Sequence, residues 1–159
     1  MKISIISVGK LKEKYLTAAV KEYSKRLSRY CKLEIIELAD EQTPNNAGES
    51  IELLIKNKEG ERILKALKDS SYCVALDMKG KSFTSEGFAK KINGLGISGK
   101  SHISFIIGGS LGLSEEVLKR ADLLVSFSQM TFPHQLMRVI LLEQVYRSYR
   151  IINNEPYHK

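Results

Sequence analysis

ISFIIGGSLGLSEEVLKR, residues 103–120, decides the fold. Residues 103–107 form an apolar run of strand length that stops at Gly108 and Gly109, and Ser114 followed by Glu115 and Glu116 reads as the N-cap and acidic first turn of a helix. Strand, glycine loop and helix in that order make up part of a parallel βαβ arrangement. The same alternation extends outward in both directions. Strands are predicted at 2–8, 33–38 and 72–76 and, more weakly, at 123–126; helices at 12–30, 50–67, 85–92, 115–120 and 133–150. Residues 40–48, with Pro44, read as a polar loop. The chain is therefore expected to form one α/β domain over 1–159, a mostly parallel sheet with helices on both faces. In such sheets ligands bind beyond the carboxyl ends of the strands, so the glycines at 108 and 109 mark a candidate crevice.

The whole chain fits that reading. With 159 residues, 43% of them hydrophobic and 27% charged, it suits one folded domain and is too short for two ordinary ones. No apolar run reaches the roughly 18 residues of a membrane span, and the apolar stretch 3–8 is too short for a signal-peptide core, so a cytoplasmic protein is expected. Cys31 and Cys73 form no CxxC motif, and neither they nor His102, His134 and His158 show metal-ligand spacing, which disfavours a disulfide framework and a zinc site. The cysteines fall in or just before predicted strands and read as buried core thiols.

The net charge of +7 is concentrated at one end. Residues 1–32 carry nine Lys or Arg against Glu13 and Glu22, while 33–159 carry 16 of each sign. At 100° per residue, Lys10, Lys14, Lys21, Lys25, Arg29 and Lys32 fall within about 100° of arc, opposite Tyr15, Leu16, Ala19, Val20, Tyr23, Leu27 and Tyr30. This is an amphipathic helix with a basic stripe, suited to nucleic acid before membrane; the alternative is a solvated face that keeps a basic protein soluble. Helix 133–150 carries apolar residues around nearly its whole circumference, so a second subunit is expected to cover part of it.

Three literal motif matches compete for the chemistry. GLGISGKS, residues 94–101, satisfies both GxxxxGK[ST] and GxGxxG, but a helix precedes it and a strand follows, the reverse of what a phosphate cradle requires; it reads as a flexible helix-to-strand loop. GGSLG, 108–112, matches the nucleophile elbow GxSxG, and Asp122 and His134 follow in hydrolase order. However, the helix begins only after Ser114, too late for an elbow at Ser110.

LDMKGKSFTSE (76–86), FIIGGSLGLS (105–114) and SFSQMTFPHQLMRVILLEQVYRSYRIINNEPYHK (126–159) together closely resemble the ribosomal RNA large subunit methyltransferase H family, a small bacterial group of SPOUT-class enzymes. The likeness also takes in the opening ISVGKLKEKY and the strand end IIELAD. It implies a SPOUT-type domain with a C-terminal trefoil knot, and S-adenosyl-L-methionine held by three loops. These would be the loops at Leu76, at Gly108 and Gly109, and at Phe127, Ser128, Gln129, Met130, Thr131 and Phe132. Polar residues interleave with the aromatic ones in the last loop, more than a core segment needs.

The implied reaction is methylation of N3 of a pseudouridine in 23S rRNA of the assembled ribosome, with no metal. An in-line methyl transfer must align its partners and dispose of the N3 proton. His134, Arg138, Tyr157 and His158 are the candidates for handling it; His134 could equally be a structural histidine and Arg138 an interface ion-pair partner. Lys14, Lys21, Lys25, Arg29 and Lys159 are the candidate RNA contacts, and the tail Tyr157 to Lys159 is expected to close over the cofactor and meet the target nucleotide. The competing readings are an enzyme of the same class acting on tRNA, a serine hydrolase centred on Ser110, and a non-catalytic RNA-binding module.

Overall fold

The computed structural model describes residues 1–159. Five strands, β1 (Lys2–Val8), β2 (Lys32–Leu38), β3 (Tyr72–Ser82), β4 (His102–Ile107) and β5 (Leu123–Ser126), form one sheet in the order β2-β1-β4-β3-β5. Every pairing is parallel. The helices are α1 (Lys14–Leu27), α2 (Glu49–Ala66), α3 (Ser85–Ile97), α4 (Glu115–Arg120) and α5 (His134–Ile152).

Alternation along the strands separates two cores. Ile3, Ile5, Ile103, Phe105 and Ile107 pack with Leu27 of α1, Phe88 and Ile92 of α3, and Leu141, Leu142 and Val145 of α5. On the opposite face, Ile6, Val8, Ala75 and Ile106 pack with Ile63 of α2 and Val117 of α4. Helices therefore cover both faces, as expected.

Strand β3 runs past Leu76, where sequence patterning ends it. Leu76 and Lys81 both pair with Val125, so residues 77–80 form an excursion after which the chain rejoins the same partner. Gly80 lies hard against β5 there: a Cβ on it would stand 2.6 Å from Leu124 C and from Val125 N. Alternation does not predict such an excursion, because it depends on a close approach between backbones far apart in the chain.

The GLGISGKS segment is not the expected flexible loop. Helix α3 continues through Gly94 and Gly96 to Ile97 because Leu95 is buried in the core, and that burial outweighs the low helix propensity of glycine. Gly99, at φ +90°, caps the helix: its N–H donates to Gly96 O, and that of Lys100 to Leu95 O. This is a Schellman closure, and it accounts for the glycine without a phosphate.

Helix α1 is shorter than predicted. Lys10 and Lys32 lie outside it, Arg29 sits in the turn that follows, and Tyr15, expected on the packed face, is 70% exposed. Cys73 is buried in β3 as expected, whereas Cys31 is half-buried in the turn before β2. Burial raises both thiols to about 11, so they are protonated at neutral pH.

Candidate functional site

The carboxyl ends of β4, β3 and β5 are neighbours in the sheet, so the segments after Ile107, after Leu76 and after Ser126 emerge side by side. Between β1 and β4 the chain also reverses direction: β1 leads to β2 on one side, while β4 leads across β3 to β5 on the other. That reversal is the switch point at which open α/β sheets form their crevice.

The glycine loop at this point is closed on itself. Gly112, at φ +88°, donates its N–H to Gly109 O at 3.1 Å, and a Cβ on Gly108 would stand 2.9 Å from Leu113 Cδ2 and 3.0 Å from Gly112 C. Gly108 therefore makes room for the loop's own return rather than for a ligand alone. Ser114 then caps α4, its Oγ accepting the Val117 N–H.

Of the residues expected in the other loops, Leu76 and Phe127 are half-buried, and the Phe127 ring meets Phe88 edge to face at 5.9 Å. Ser128 shapes its own turn: its Oγ accepts the Met130 N–H at 2.9 Å, and its carbonyl accepts from Ser126 Oγ. Gln129, Met130, Thr131 and Phe132 are exposed. The Thr131 hydroxyl reaches Met78 Sδ at 4.0 Å, joining this loop to the β3 excursion. Two of the three expected segments thus touch directly.

The four proton-handling candidates separate. His134 opens α5 beside Gly9, its Nε2 3.7 Å from where a Gly9 Cβ would lie. Burial, and then the charge of Arg138, lower its pKa, so the ring is neutral at physiological pH. Arg138 is 2% exposed and spans the end of β1: it donates to Glu37 Oε2 and Gly9 O, each at 2.6 Å, and to Val8 O at 3.2 Å. Its ion pair is made within the chain, where the alternative reading had put it at an interface.

Tyr157 donates to Glu143 Oε1 at 3.1 Å and packs edge to face on Tyr146 at 5.0 Å; burial raises its hydroxyl to about 12. His158 bridges Arg147 at 3.1 Å and Glu86 at 2.7 Å. The tail is therefore ordered, tied to α5 and to the first turn of α3 in its own chain rather than to the Gly108 turn; Lys159 is exposed. These contacts depend on α5 and α3 converging, which a terminal sequence does not announce.

Lys14, Lys21 and Lys25 stand exposed in one row along α1, none of them in an ion pair, whereas Arg26 pairs with Glu22. Arg29 is exposed beside them, with its guanidinium over the Tyr30 ring at 5.2 Å. The elbow constellation does not form. Ser110 is exposed in the glycine turn, while Asp122 accepts the Cys73 N–H and an Arg120 N–H at the amino edge of the sheet, the edge opposite Ser110. A cavity of about 230 Å³ beneath α1 and α5, lined by Ile5, Val20, Ile35 and Leu142 and reaching the Arg138–Glu37 pair, is small for a nucleoside-sized ligand.

Sequence reasoning missed Glu59. This α2 carboxylate is 4% exposed, and a Cβ on Gly109 would lie 3.1 Å from its Oε1. Its Oε2 accepts the Glu41 N–H at 3.0 Å. Burial raises its pKa. Helical periodicity puts Glu59 next to Ile55 and Ile63, both buried, and that was the available signal.

A family described as predicted SPOUT methyltransferases matches residues 1–158. Ribosomal RNA large subunit methyltransferase H 1 of Clostridium perfringens is 65% identical over 159 residues, covering all of both chains. Ribosomal RNA large subunit methyltransferase H of Clostridium kluyveri is also 65% identical, and that of Clostridium tetani 64%, again with full coverage of both chains.

Proposed function

The chain belongs to the SPOUT methyltransferase family, and on that premise we propose that it methylates N3 of a pseudouridine in 23S rRNA of the assembled ribosome, using S-adenosylmethionine. The observation that carries this reading is the adjacency of three segments at the sheet's carboxyl edge, after Leu76, at Gly108 and Gly109, and at Phe127 to Phe132. The large-subunit rRNA methyltransferases identical to the chain at about two positions in three supply the substrate class.

When bound, the cofactor supplies an electrophilic methyl group on a sulfonium. The Phe127–Phe88 contact gives that edge an apolar floor that excludes water, and the Gly108 to Gly112 turn brings backbone to the crevice wall. Neutral His134 is the group suited to take the N3 proton as the new N–C bond forms. Arg138 acts as a positioning residue, clamping the end of β1 so that His134 stays beside Gly9. Tyr157 and His158 are held rigidly enough to meet a nucleotide, and the lysine row on α1, with Arg29 and Lys159, supplies phosphate contacts.

We further infer a homodimer and knotted threading, in a cytoplasmic enzyme. Leu136, Val139 and Ile140 form a stripe on α5 that one chain leaves only half covered, and the passage of Gly80 over β5 supports the crossing a trefoil needs. No helix is long and apolar enough to cross a membrane.

The test is incubation of labelled S-adenosylmethionine with the protein and, separately, ribosomes, free rRNA and tRNA. Label in ribosomal 23S rRNA is expected, at the N3 position of pseudouridine. Label in tRNA alone would overturn the substrate, and transfer to none of the three would overturn the enzyme reading.

A further inference from the structure

Glu59 has no part in the chemistry outlined above, yet its burial requires explanation. A carboxylate is costly to remove from water unless it is paired or hydrogen-bonded. Here Oε2 takes the Glu41 N–H, while Oε1 is turned toward Gly109 with no protein donor on it and keeps a narrow contact with solvent. The neighbouring cation is already engaged: Arg62 donates to Glu41 and to the Ala39 carbonyl.

The location is equally specific. A Cβ on Gly109 would approach Glu59 Oε1 to 3.1 Å and Val8 Cγ1 to 3.4 Å, so glycine at 109 lets the carboxylate pack close to the backbone between the ends of β1 and β4. That space is the switch point of the sheet. A buried carboxylate with an uncommitted oxygen at a ligand crevice calls for a cationic group on the ligand.

We propose that Glu59 is a cofactor-binding residue whose carboxylate receives the α-ammonium group of the methyl donor. This rests on the reading of the protein as an S-adenosylmethionine-dependent methyltransferase. The donor carries two positive centres, an ammonium and a sulfonium, and catalysis selects between them. A carboxylate on the sulfonium would stabilise a charge that disappears on methyl transfer, favouring the ground state and slowing the reaction. A carboxylate on the ammonium stabilises both states equally and serves binding. The adjacent carboxylates of Asp40 and Glu41 make this end of the crevice unfavourable for the donor's own carboxylate, which fixes its orientation.

Calorimetric titration of wild type and Glu59→Gln with S-adenosylmethionine, S-adenosylhomocysteine and 5′-methylthioadenosine tests this. The first two carry the ammonium; the third carries neither ammonium nor sulfonium. Glu59→Gln keeps an oxygen for the Glu41 amide, and its affinity for the first two should fall by about tenfold or more, the scale of a charge-assisted hydrogen bond, with methylthioadenosine unchanged. An equal loss for all three ligands would make Glu59 only a brace for the glycine turn and overturn the proposal, as would no loss for any. The deaminated analogue of S-adenosylhomocysteine provides a check on the wild-type protein: it should bind about tenfold more weakly than its parent, and equal affinity would overturn the proposal even if the variant fails to fold. If wild type binds none of these nucleosides, the methyl-donor reading itself fails; if wild type binds and the variant discriminates no differently, only the role of Glu59 fails.

Discussion

Replacing Gly80 by alanine tests the close approach of the β3 excursion to β5 at the edge of the candidate crevice. The added Cβ would lie 2.6 Å from Leu124 C, 2.6 Å from Val125 N and 2.7 Å from Val125 C, against 3.4 Å or more for ordinary contact. The backbones must therefore part by about 0.8 Å, and none of the three atoms belongs to a side chain that could swing away. Overpacking typically costs about 1–3 kcal/mol, and a clash with backbone alone belongs at the upper end, about 3 kcal/mol. For a chain of this length that lowers Tm by about 6–12 °C. Gly94→Ala serves as the control: nothing lies within 4 Å of its Cβ position, and it sits inside α3, so it should stabilise by up to about 1 kcal/mol. Urea titration and thermal scans of both variants measure the difference. Gly80→Ala within about 0.5 kcal/mol of wild type would show that residues 77–80 do not press on β5, and the account of the crevice wall would fall with it.

Changing Lys14, Lys21 and Lys25 together to Gln should weaken ribosome binding and flatten its dependence on salt, because fewer counterions are released; unchanged binding across a salt series would reduce the row to a solvated face. Ser114→Ala should cost about 1 kcal/mol by removing the α4 cap. A Cβ on Gly60 would displace the same Ser114 Oγ, so the double variant should lose less than the sum of the two singles, and strict additivity in denaturation would refute that shared site. His102 and His134 both have pKa values lowered mainly by burial, so below about pH 6.5 the unfolded chain binds more protons than the folded one and stability falls as the pH drops. The urea midpoint should decline less between pH 7 and 6 in His102→Gln/His134→Gln than in wild type, and an identical decline would place those titrations elsewhere.

Local chemistry wrote much of this protein into its sequence. Residues 103–107 can only be a buried strand, Ser114 with Glu115 and Glu116 can hardly avoid capping a helix, and their order specified a parallel α/β arrangement with a candidate crevice at Gly108. Each of those features depends on neighbours within a few residues. The features that escaped prediction involve partners far along the chain. Leu95 extended α3 through two glycines because a core was there to receive it. Arg138 became a strut because Val8, Gly9 and Glu37 converge on it from about 100 residues or more away in the sequence. Glu59 looked like one acidic residue among many on α2 until the fold set its carboxylate against Gly109. A charge reads as solvated by default, and only the packing of α2 over the ends of β1 and β4 withdrew water from this one; periodicity can specify which side of a helix is buried, but the tertiary structure alone decides what it is buried against.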